Sequence, residues 1–286
     1  MQQDLSEVGK VLETHEYSMT SVWLDAAKTF KLPSIIKQAG FEKAQGYSVT
    51  EMIMLMMLLP FLGLNRVNDW FTSHFREITT MRKDAIDRLQ NDERIPWRSI
   101  LYGVVTRFQR LVNPQKTVAP NSALIADDTP DARTGFHIEN ISHVFDPVEG
   151  RRGTKLGCKD LGVGWFDGTS FLSVDFSIPS EKPLRGHRRK AQYPKACIPG
   201  SPGATPRKAC ATNQIDQTVA MIKRAVKHGI RVRYVLADSW FSSQGFIQAV
   251  RQIRHQAMHG VCGVRKDQRK YEYQGVAVDA KTLLTQ

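Results

Sequence analysis

The spacing of apolar and polar residues divides the chain into two parts with different periodicities. Apolar residues recur at helical spacing from residue 20 to about residue 111. Residues 112–122 contain two prolines and have no periodicity, which is typical of a linker. From residue 123 onward, short apolar runs alternate with turn-forming residues and amphipathic segments. The pattern predicts a helical amino-terminal region at 1–111, a linker at 112–122 and a second domain at 123–286.

The second domain opens with strand-like segments. Ala123–Ala126 is a short apolar run that we expect to form a strand ending at Asp127 and Asp128. Gly157–Pro179 then has the pattern of two strands joined at Asp167-Gly168, a dipeptide that favours a tight hairpin. The order so far predicts a strand followed by an antiparallel hairpin.

Next come a helix, a strand and a second helix. A helix is predicted from Asn213 to His228, followed by a strand at Ile230–Ala237 that is buried on both faces, as in a parallel sheet. Asp238 stands at the exit of this strand. Because Ser242 and Ser243 are better placed to cap the next helix, Gly245–Met258, we expect Asp238 to have no capping role and to be a candidate metal ligand. Further strands are predicted at Val261–Val264 and Tyr271–Val278.

This order of elements is that of a ribonuclease H-like core. The predicted fold class is therefore α/β: a ribonuclease H-like mixed sheet with flanking helices, preceded by a helical amino-terminal region. In such a core the first and fourth strands are parallel neighbours, which brings an aspartate from each to the same edge. Two such carboxylates repel unless divalent cations neutralise them, and oxygen ligands favour Mg²⁺ or Mn²⁺. Ions held there can promote in-line phosphoryl transfer on nucleic acid.

Charge supports a polyanionic partner. The formal net charge is +12, and residues 121–286 hold 25 basic and 15 acidic side chains. Residues 182–208 alone contain eight Lys or Arg, five Pro and no acidic residue, which predicts a basic loop or insertion. Four basic residues are clustered within this segment. They either belong to a solvated loop or contact phosphates, and the sequence leaves both interpretations open. The cluster comprises Arg185, Arg188, Arg189 and Lys190.

Other features limit the cellular setting. The first ten residues lack the basic and apolar regions of an export signal, and the longest apolar run, Met52–Leu64, is too short to span a bilayer. We therefore expect a cytoplasmic protein with no membrane partner. The four cysteines show no C-x-x-C spacing, so neither zinc nor disulfides are expected.

Two motifs carry a family resemblance. Leu124–Thr129 (LIADDT) and Tyr234–Phe241 (YVLADSWF) resemble the first and second acidic motifs of DDE-type bacterial insertion-sequence transposases, in the cut-and-paste superfamily numbered four. The resemblance implies Asp238 and one of Asp127 or Asp128 as catalytic residues, with Asp127 preferred and with Asp127 and Asp238 as metal ligands. It also implies Mg²⁺ (or Mn²⁺), cleavage and strand transfer on double-stranded DNA at terminal inverted repeats and target sites, and a homo-oligomeric synaptic complex.

One motif of that family is absent. Its third acidic residue lies in a Y-x2-R-x3-E-x6-K motif, which this sequence lacks, and the only Glu after Asp238 is Glu272 in a strand-like context. The expectation is a transposase that is truncated at its carboxyl end and inactive. The alternative is a non-catalytic DNA-binding or regulatory fragment of a transposase. A ribonuclease H-like nuclease unrelated to transposition is disfavoured by the long helical region.

Overall fold

The computed structural model describes most of the chain, in two compact units. The first unit comprises Met1–Leu111 with Cys197–Ala204, and the second comprises Val112–Ala196 with Thr205–Gln286. The residues described are 18–41, 43, 45–73, 76, 79–115, 118–135, 138–139, 141–145, 154–179, 197–253, 257–265 and 267–285.

The described part of the first unit is helical. Buried apolar side chains form its core, among them Met52, Trp70 and Leu89, each with no exposed surface. A short 3₁₀ turn, Leu59–Leu62, follows the third helix. The helices are α1 (Ser18–Phe30), α2 (Leu32–Gln38), α3 (Val49–Leu58), α4 (Val67–Thr72), α5 (Lys83–Gln90) and α6 (Trp97–Val112).

Glu93 fastens a distant segment to this helical unit. Its Oε1 accepts a hydrogen bond from the backbone N–H of Ile198 at 2.6 Å, and its carbonyl oxygen accepts one from the N–H of Gly203 at 2.8 Å. The thiol of Cys197 also lies 3.0 Å from Glu93 Oε2. These bonds return residues 197–204 to the first unit after the basic segment.

The second unit is built on a mixed six-stranded sheet. The principal strand order is β4–β3–β1–β5–β6, and β2 pairs with the other end of β3. β1, β5 and β6 are parallel, whereas β3 is antiparallel to β1, β2 and β4. The strands are β1 (Ala123–Ala132), β2 (Ser142–Phe145), β3 (Thr154–Phe166), β4 (Phe171–Ser177), β5 (Tyr234–Ala237) and β6 (His259–Cys262).

The remaining elements of this unit are helices and a small hairpin. They are α7 (Ala204–Ala209), α8 (Gln214–Lys227), α9 (Gln244–Gln252), β7 (Lys270–Tyr273), β8 (Val276–Asp279) and α10 (Ala280–Leu284). β7 and β8 form their own two-stranded sheet. No helix in the described part of the chain is both long enough and apolar enough to cross a membrane.

Helices α8 and α9 pack on the same face of the sheet. Ser177 on β4 pairs in register with Leu161 and hydrogen-bonds to Gln217 of α8, so α8 covers the face that carries Leu161. A Cβ added to Gly260 would meet Ile247 of α9, and Gly260 is aligned through Val235 with that same face. The side chains that alternate with Leu161, Val235 and Gly260 along their strands therefore lie on the opposite face of the sheet.

The local signals in the sequence placed several elements correctly. β3 and β4 form the predicted hairpin, where Asp167 Oδ1 accepts hydrogen bonds from the N–H groups of Thr169 and Ser170 and Gly168 has a φ of +106°. α8 begins after Asn213, whose side chain accepts a hydrogen bond from the N–H of Asp216 at 2.8 Å, and ends at Lys227 with His228 as its C-cap. Both elements depend on contacts within a few residues.

Predicted strand and helix lengths were less accurate. β1 does not end at Asp127 but continues to Ala132, because β3 pairs with it over its whole length. The strand expected at Ile230–Ala237 is confined to β5, and on one face its side chains are only half buried. The helix expected at Gly245–Met258 ends at Gln252, where Ile253 adopts an extended conformation.

The two final strand predictions also required correction. The strand expected at Val261–Val264 lies earlier, at His259–Cys262, in register with β5. Tyr271–Val278 is two strands rather than one, because Gln274 and Gly275 both have positive φ, 50° and 80°, and form a two-residue hairpin turn.

Candidate active site

Asp127 and Asp238 follow equivalent positions on two neighbouring parallel strands. β1 and β5 are paired from Ala123 with Tyr234 to Ala126 with Ala237, and each aspartate is the next residue in its chain. Both aspartates are exposed. Residues that are in register on neighbouring parallel strands lie side by side, so the two aspartates that follow the last pair occupy adjacent positions.

Asp128 points to the opposite face from Asp127. It is aligned with Leu161, which belongs to the face covered by α8, and its Oδ2 lies 2.8 Å from Nζ of Lys159. The two side chains are only 16% and 14% exposed. Asp127 instead accepts a hydrogen bond from the N–H of Asp128 through Oδ1, at 2.9 Å. The two adjacent carboxylates therefore have different environments.

Asp238 does have a capping role, contrary to the expectation from the sequence. Its Oδ1 accepts a hydrogen bond from the N–H of Trp240 at 2.8 Å and caps a single 3₁₀ turn, Ser239–Phe241. Ser243 caps α9, as predicted, by accepting a hydrogen bond from the N–H of Phe246. A carboxylate has more acceptor capacity than one bond uses, so the capping bond fixes the orientation of Asp238 without excluding a further ligand.

A buried aromatic pair supports the loop that carries Asp238. Phe241 is fully buried, and its ring lies 5.7 Å from that of Phe246 on α9. Trp240 is 42% exposed and stands edge-on to Phe241 with 5.3 Å between the ring centroids. The position of Asp238 is thus set by packing beneath its loop as well as by the capping bond.

The sheet face that carries Asp127 is open. Gly162 lies directly opposite Asp127 on β3, and a Cβ added there would meet no heavy atom within 4 Å. Phe171, Phe176 and Val261, which belong to the same face, are 59%, 43% and 48% exposed. A substrate or ion can therefore approach Asp127 from this side.

A third acidic residue, Asp160, lies on this face and was not identified from the sequence. Asp160 pairs in register with Thr129. Thr129 is two positions from Asp127 on β1, and Asp160 is two positions from Gly162 on β3, so all four lie on one face. Partial desolvation and then the nearby charge of Asp131 raise the pKa of Asp160, whereas Arg133 opposes the rise. The signal that could have revealed it is the alternation Asp160-Leu-Gly-Val-Gly-Trp165, which predicts that Asp160 and Gly162 share one face.

The charge of Asp238 also affects its surroundings. The pKa of the Cys262 thiol is raised, first by burial and then by the negative charge of Asp238. Cys262 pairs in register with Ala237, the residue before Asp238. This shared environment places Asp238 close to the carboxyl end of β6 as well as to that of β1.

The donor atoms at this edge fit one hard divalent cation. Carboxylate oxygens from Asp127 and Asp238 are the ligand type that Mg²⁺ and Mn²⁺ prefer. Among the ion pairs of the described residues, neither side chain has a basic partner like that of Asp128. Within the described ranges, no group of three or more His, Cys, Asp or Glu side chains is arranged to hold a metal ion. The ligand chemistry of these two carboxylates is therefore compatible with a divalent cation.

The structure describes only one of two further sites that were named from the sequence. The basic cluster Arg185, Arg188, Arg189 and Lys190 lies outside the described residues. Glu272 is exposed on β7, where it pairs with Ala277 in the separate two-stranded sheet.

Comparison with known proteins gives one result that bears on this site. No curated protein and no solved structure matches the chain. The DDE superfamily endonuclease family matches residues 81–282, which is well over half of the chain and includes both acidic motifs. The match begins at residue 81, in the helical unit, and thus starts well before the first of the two motifs, Leu124–Thr129. The chain belongs to the DDE superfamily endonuclease family.

Proposed function

We propose that this protein is a DNA transposase of the insertion-sequence type, in the cut-and-paste superfamily numbered four, with double-stranded DNA at terminal inverted repeats and target sites as its substrate. Membership of the DDE endonuclease family supports a transposase-like nuclease. The proposal includes Asp127 and Asp238 as catalytic carboxylates, a homo-oligomeric synaptic complex and a cytoplasmic location. The observation that carries it is the register of β1 and β5, which gives both aspartates the same position at one sheet edge.

We further propose that the second unit is a ribonuclease H-like core. The strand order β4–β3–β1–β5–β6 supports this assignment, as do the antiparallel hairpin and the parallel pairing of β1, β5 and β6. Both motif aspartates then come directly after the last pair of the parallel β1–β5 register, at the carboxyl end of β5, and open α/β sheets carry their ligands at such strand ends.

Asp127 and Asp238 are the residues proposed to hold Mg²⁺ or Mn²⁺. When bound, such an ion supplies charge stabilisation for phosphodiester cleavage. The side chains of this protein fix the geometry: Asp238 is oriented by its bond to the N–H of Trp240, and Asp127 by its bond to the N–H of Asp128. The open face at Gly162 admits the phosphodiester beside Asp127.

The same proposal includes low activity of the 286-residue chain. A two-metal site needs enough carboxylate for both ions, and the sequence lacks the third acidic motif of the superfamily. In the part of the chain that the structure describes, no third His, Cys, Asp or Glu completes a metal-binding group with the pair. We propose that the chain binds element DNA and performs little strand transfer on its own.

A non-catalytic DNA-binding or regulatory fragment is the second candidate. The net charge of +12 favours it, because basic charge alone supports DNA binding without any metal. In this alternative the cluster Arg185, Arg188, Arg189 and Lys190 contacts phosphates, and the protein pairs with an intact transposase without cutting.

Nicking of supercoiled plasmid that carries terminal inverted repeats tests the proposal. The nuclease function predicts Mg²⁺- or Mn²⁺-dependent nicking that is weak, is abolished by a chelator and is lost in Asp238→Asn while DNA affinity is retained. Salt-sensitive binding without any nicking would support the regulatory fragment. Robust excision by this chain that Glu272→Gln abolishes would overturn the proposed low activity and make Glu272 the third acidic ligand.

A further inference from the structure

A basic surface lies at the amino ends of β5 and β6, at the opposite edge from Asp127 and Asp238. Residues 217–266 contain nine Lys or Arg and a single acidic residue, Asp238. Four of these basic residues are exposed near the end of α8 and in the segment that leads into β5. We call them the amino-edge basic surface: Lys223, Lys227, Arg231 and Arg233.

The backbone beneath this surface is firmly held. Ile230 and Val232 are buried, with 0% and 1% exposure, while Arg231 and Arg233 between and after them are exposed. The carbonyl oxygen of Ser122 accepts hydrogen bonds from the N–H groups of Arg233 and Tyr234, at 3.1 and 3.2 Å. Two arginines are therefore presented on one side of a fixed segment, which limits the entropy lost when they bind a ligand.

Aromatic contacts orient Arg233. Its guanidinium lies 5.7 Å from the centre of the Tyr234 ring, and that ring lies 6.1 Å from the ring of His259. The N–H of His259 also donates to the carbonyl oxygen of Arg233 at 3.0 Å. Stacking leaves the edge of a guanidinium free to donate hydrogen bonds, which suits it to phosphate oxygens.

The charge of this surface is not neutralised by the ion pairs found among the described residues. Arg224, which lies on α8 between Lys223 and Lys227, pairs with buried Asp175 at 2.8 Å. None of the ion pairs among the described residues includes Lys223, Lys227, Arg231 or Arg233. Lys227, in the last turn of α8, also interacts favourably with the helix dipole. Arg231 and Arg233 lie beyond the helix, so the dipole gives no reason for their charge.

The carboxylates at the other edge do not cancel this charge. Asp238 lies five positions after Arg233, which is roughly 17 Å along an extended chain. That distance exceeds the Debye length of about 8 Å at physiological salt. The second unit therefore presents acidic and basic edges that act independently on a polyanion.

We propose that the amino-edge basic surface binds the phosphate backbone of duplex DNA. Ile230 and Val232, the apolar residues next to the two arginines, are buried. The surface therefore offers cations without the exposed apolar side chains that would enter a lipid surface. This inference rests on the proposed function, since it assigns one part of the DNA contact. It separates binding at one edge from cleavage at the other and makes this contact independent of metal.

Salt dependence of binding tests the inference in the full chain. Binding of a fluorescent duplex is measured by anisotropy in a chelator over a range of salt, for wild type and for Arg231→Ala/Arg233→Ala. The slope of log K against log salt should flatten by about 0.9 for each DNA phosphate that the variant no longer neutralises, hence by about 1.8 for the two arginines. Lys270→Ala/Lys281→Ala removes the same charge from exposed positions elsewhere in this unit and should leave the slope nearly unchanged.

Further arms guard against misfolding and other partners. Arg231→Lys/Arg233→Lys keeps the charge and should retain most of the slope, whereas an equal loss in both arginine doubles would overturn the electrostatic assignment. The assignment would also be overturned if Arg231→Ala/Arg233→Ala left the salt slope unchanged, or changed it no more than Lys270→Ala/Lys281→Ala does. Loss of binding to single-stranded RNA with no change for duplex DNA would assign the surface to RNA instead.

The inference and the proposed nuclease can fail separately. A flattened slope without any metal-dependent nicking would leave the DNA surface in place and remove the nuclease. Metal-dependent nicking with an unchanged slope would do the reverse.

Discussion

Lys159 on β3 forms an ion pair with Asp128 on β1, with 2.8 Å between Nζ and Oδ2. The pair lies on the sheet face that α8 covers, whereas Asp127 lies on the open face opposite Gly162. Two consecutive acidic residues are thus assigned different roles by the alternation of side chains along one strand. Asp128 is thus held by an ion pair across the two strands, whereas Asp127 is exposed on the open face.

The first prediction separates these roles by stability. Asp128→Asn leaves the half-buried Lys159 without its carboxylate and should lower the free energy of unfolding by about 1–3 kcal/mol. Asp127→Asn removes an exposed carboxylate that has no basic partner among the described ion pairs and should change it by less than about 0.5 kcal/mol. Urea unfolding at neutral pH measures both. Equal losses would contradict the assignment.

The second prediction concerns the ion pair between β4 and α8. Asp175 has no exposed side-chain surface, and Arg224, 31% exposed, donates to its Oδ2 at 2.8 Å. Arg224→Met removes the basic partner of a buried carboxylate and should cost roughly 2–4 kcal/mol, somewhat below the cost for a fully buried pair because solvent screens Arg224.

A matched double variant checks this cause. Asp175→Asn, added to Arg224→Met, removes the buried carboxylate charge whose ion-pair partner was Arg224. The double variant should therefore recover much of the lost stability, as measured by urea unfolding. A double variant less stable than the single one would show that the carboxylate itself, rather than its pairing, holds the fold.

The third prediction follows from the raised pKa of Asp160. A carboxyl whose pKa is raised by folding contributes stability below its ordinary value near 3.8, and this contribution is lost as pH rises through the folded pKa. Asp160→Asn should therefore unfold at a higher temperature than wild type at pH 7, with the difference shrinking as pH falls toward 3.8. Thermal unfolding across this range measures it. A difference that grows on acidification would contradict the cause.

The fourth prediction uses two glycines of β3 as a matched pair. Gly162 has open space where a side chain would lie, so Gly162→Ala should be neutral or stabilise by up to about 1 kcal/mol. A Cβ at Gly157 would collide with the backbone carbonyl oxygen of Asp131, so Gly157→Ala should destabilise by about 1–3 kcal/mol. Urea midpoints compare them. Destabilisation by Gly162→Ala equal to that by Gly157→Ala would show that the Asp127 face is closed.

Short-range signals explain what could be predicted from the sequence. The Asp167-Gly168 turn and the Asn213 cap act through hydrogen bonds within three residues, and the sequence located both. Asp127 and Asp238 were chosen as candidate site residues because each follows an apolar run of the kind that forms buried strands.

Long-range pairing explains what could not be predicted. The length of β1 depends on β3, and the choice between Asp127 and Asp128 depends on Lys159, which lies 31 positions beyond Asp128. Asp238 was expected to lack a capping role because Ser242 and Ser243 are better placed to cap the next helix. The three-residue 3₁₀ turn that Asp238 does cap has no periodic signal in the sequence. Asp160 was missed because its position beside Asp127 exists only once β1 and β3 are aligned.

Binding of Mn²⁺ to the purified chain, followed by electron paramagnetic resonance, tests the central claim most directly because it requires no catalytic turnover. Wild type and Asp128→Asn should bind the ion, with affinity lost in both Asp127→Asn and Asp238→Asn, because the metal site is assigned to those two carboxylates alone. Undiminished binding in Asp127→Asn and Asp238→Asn, or loss confined to Asp128→Asn, would contradict the assignment.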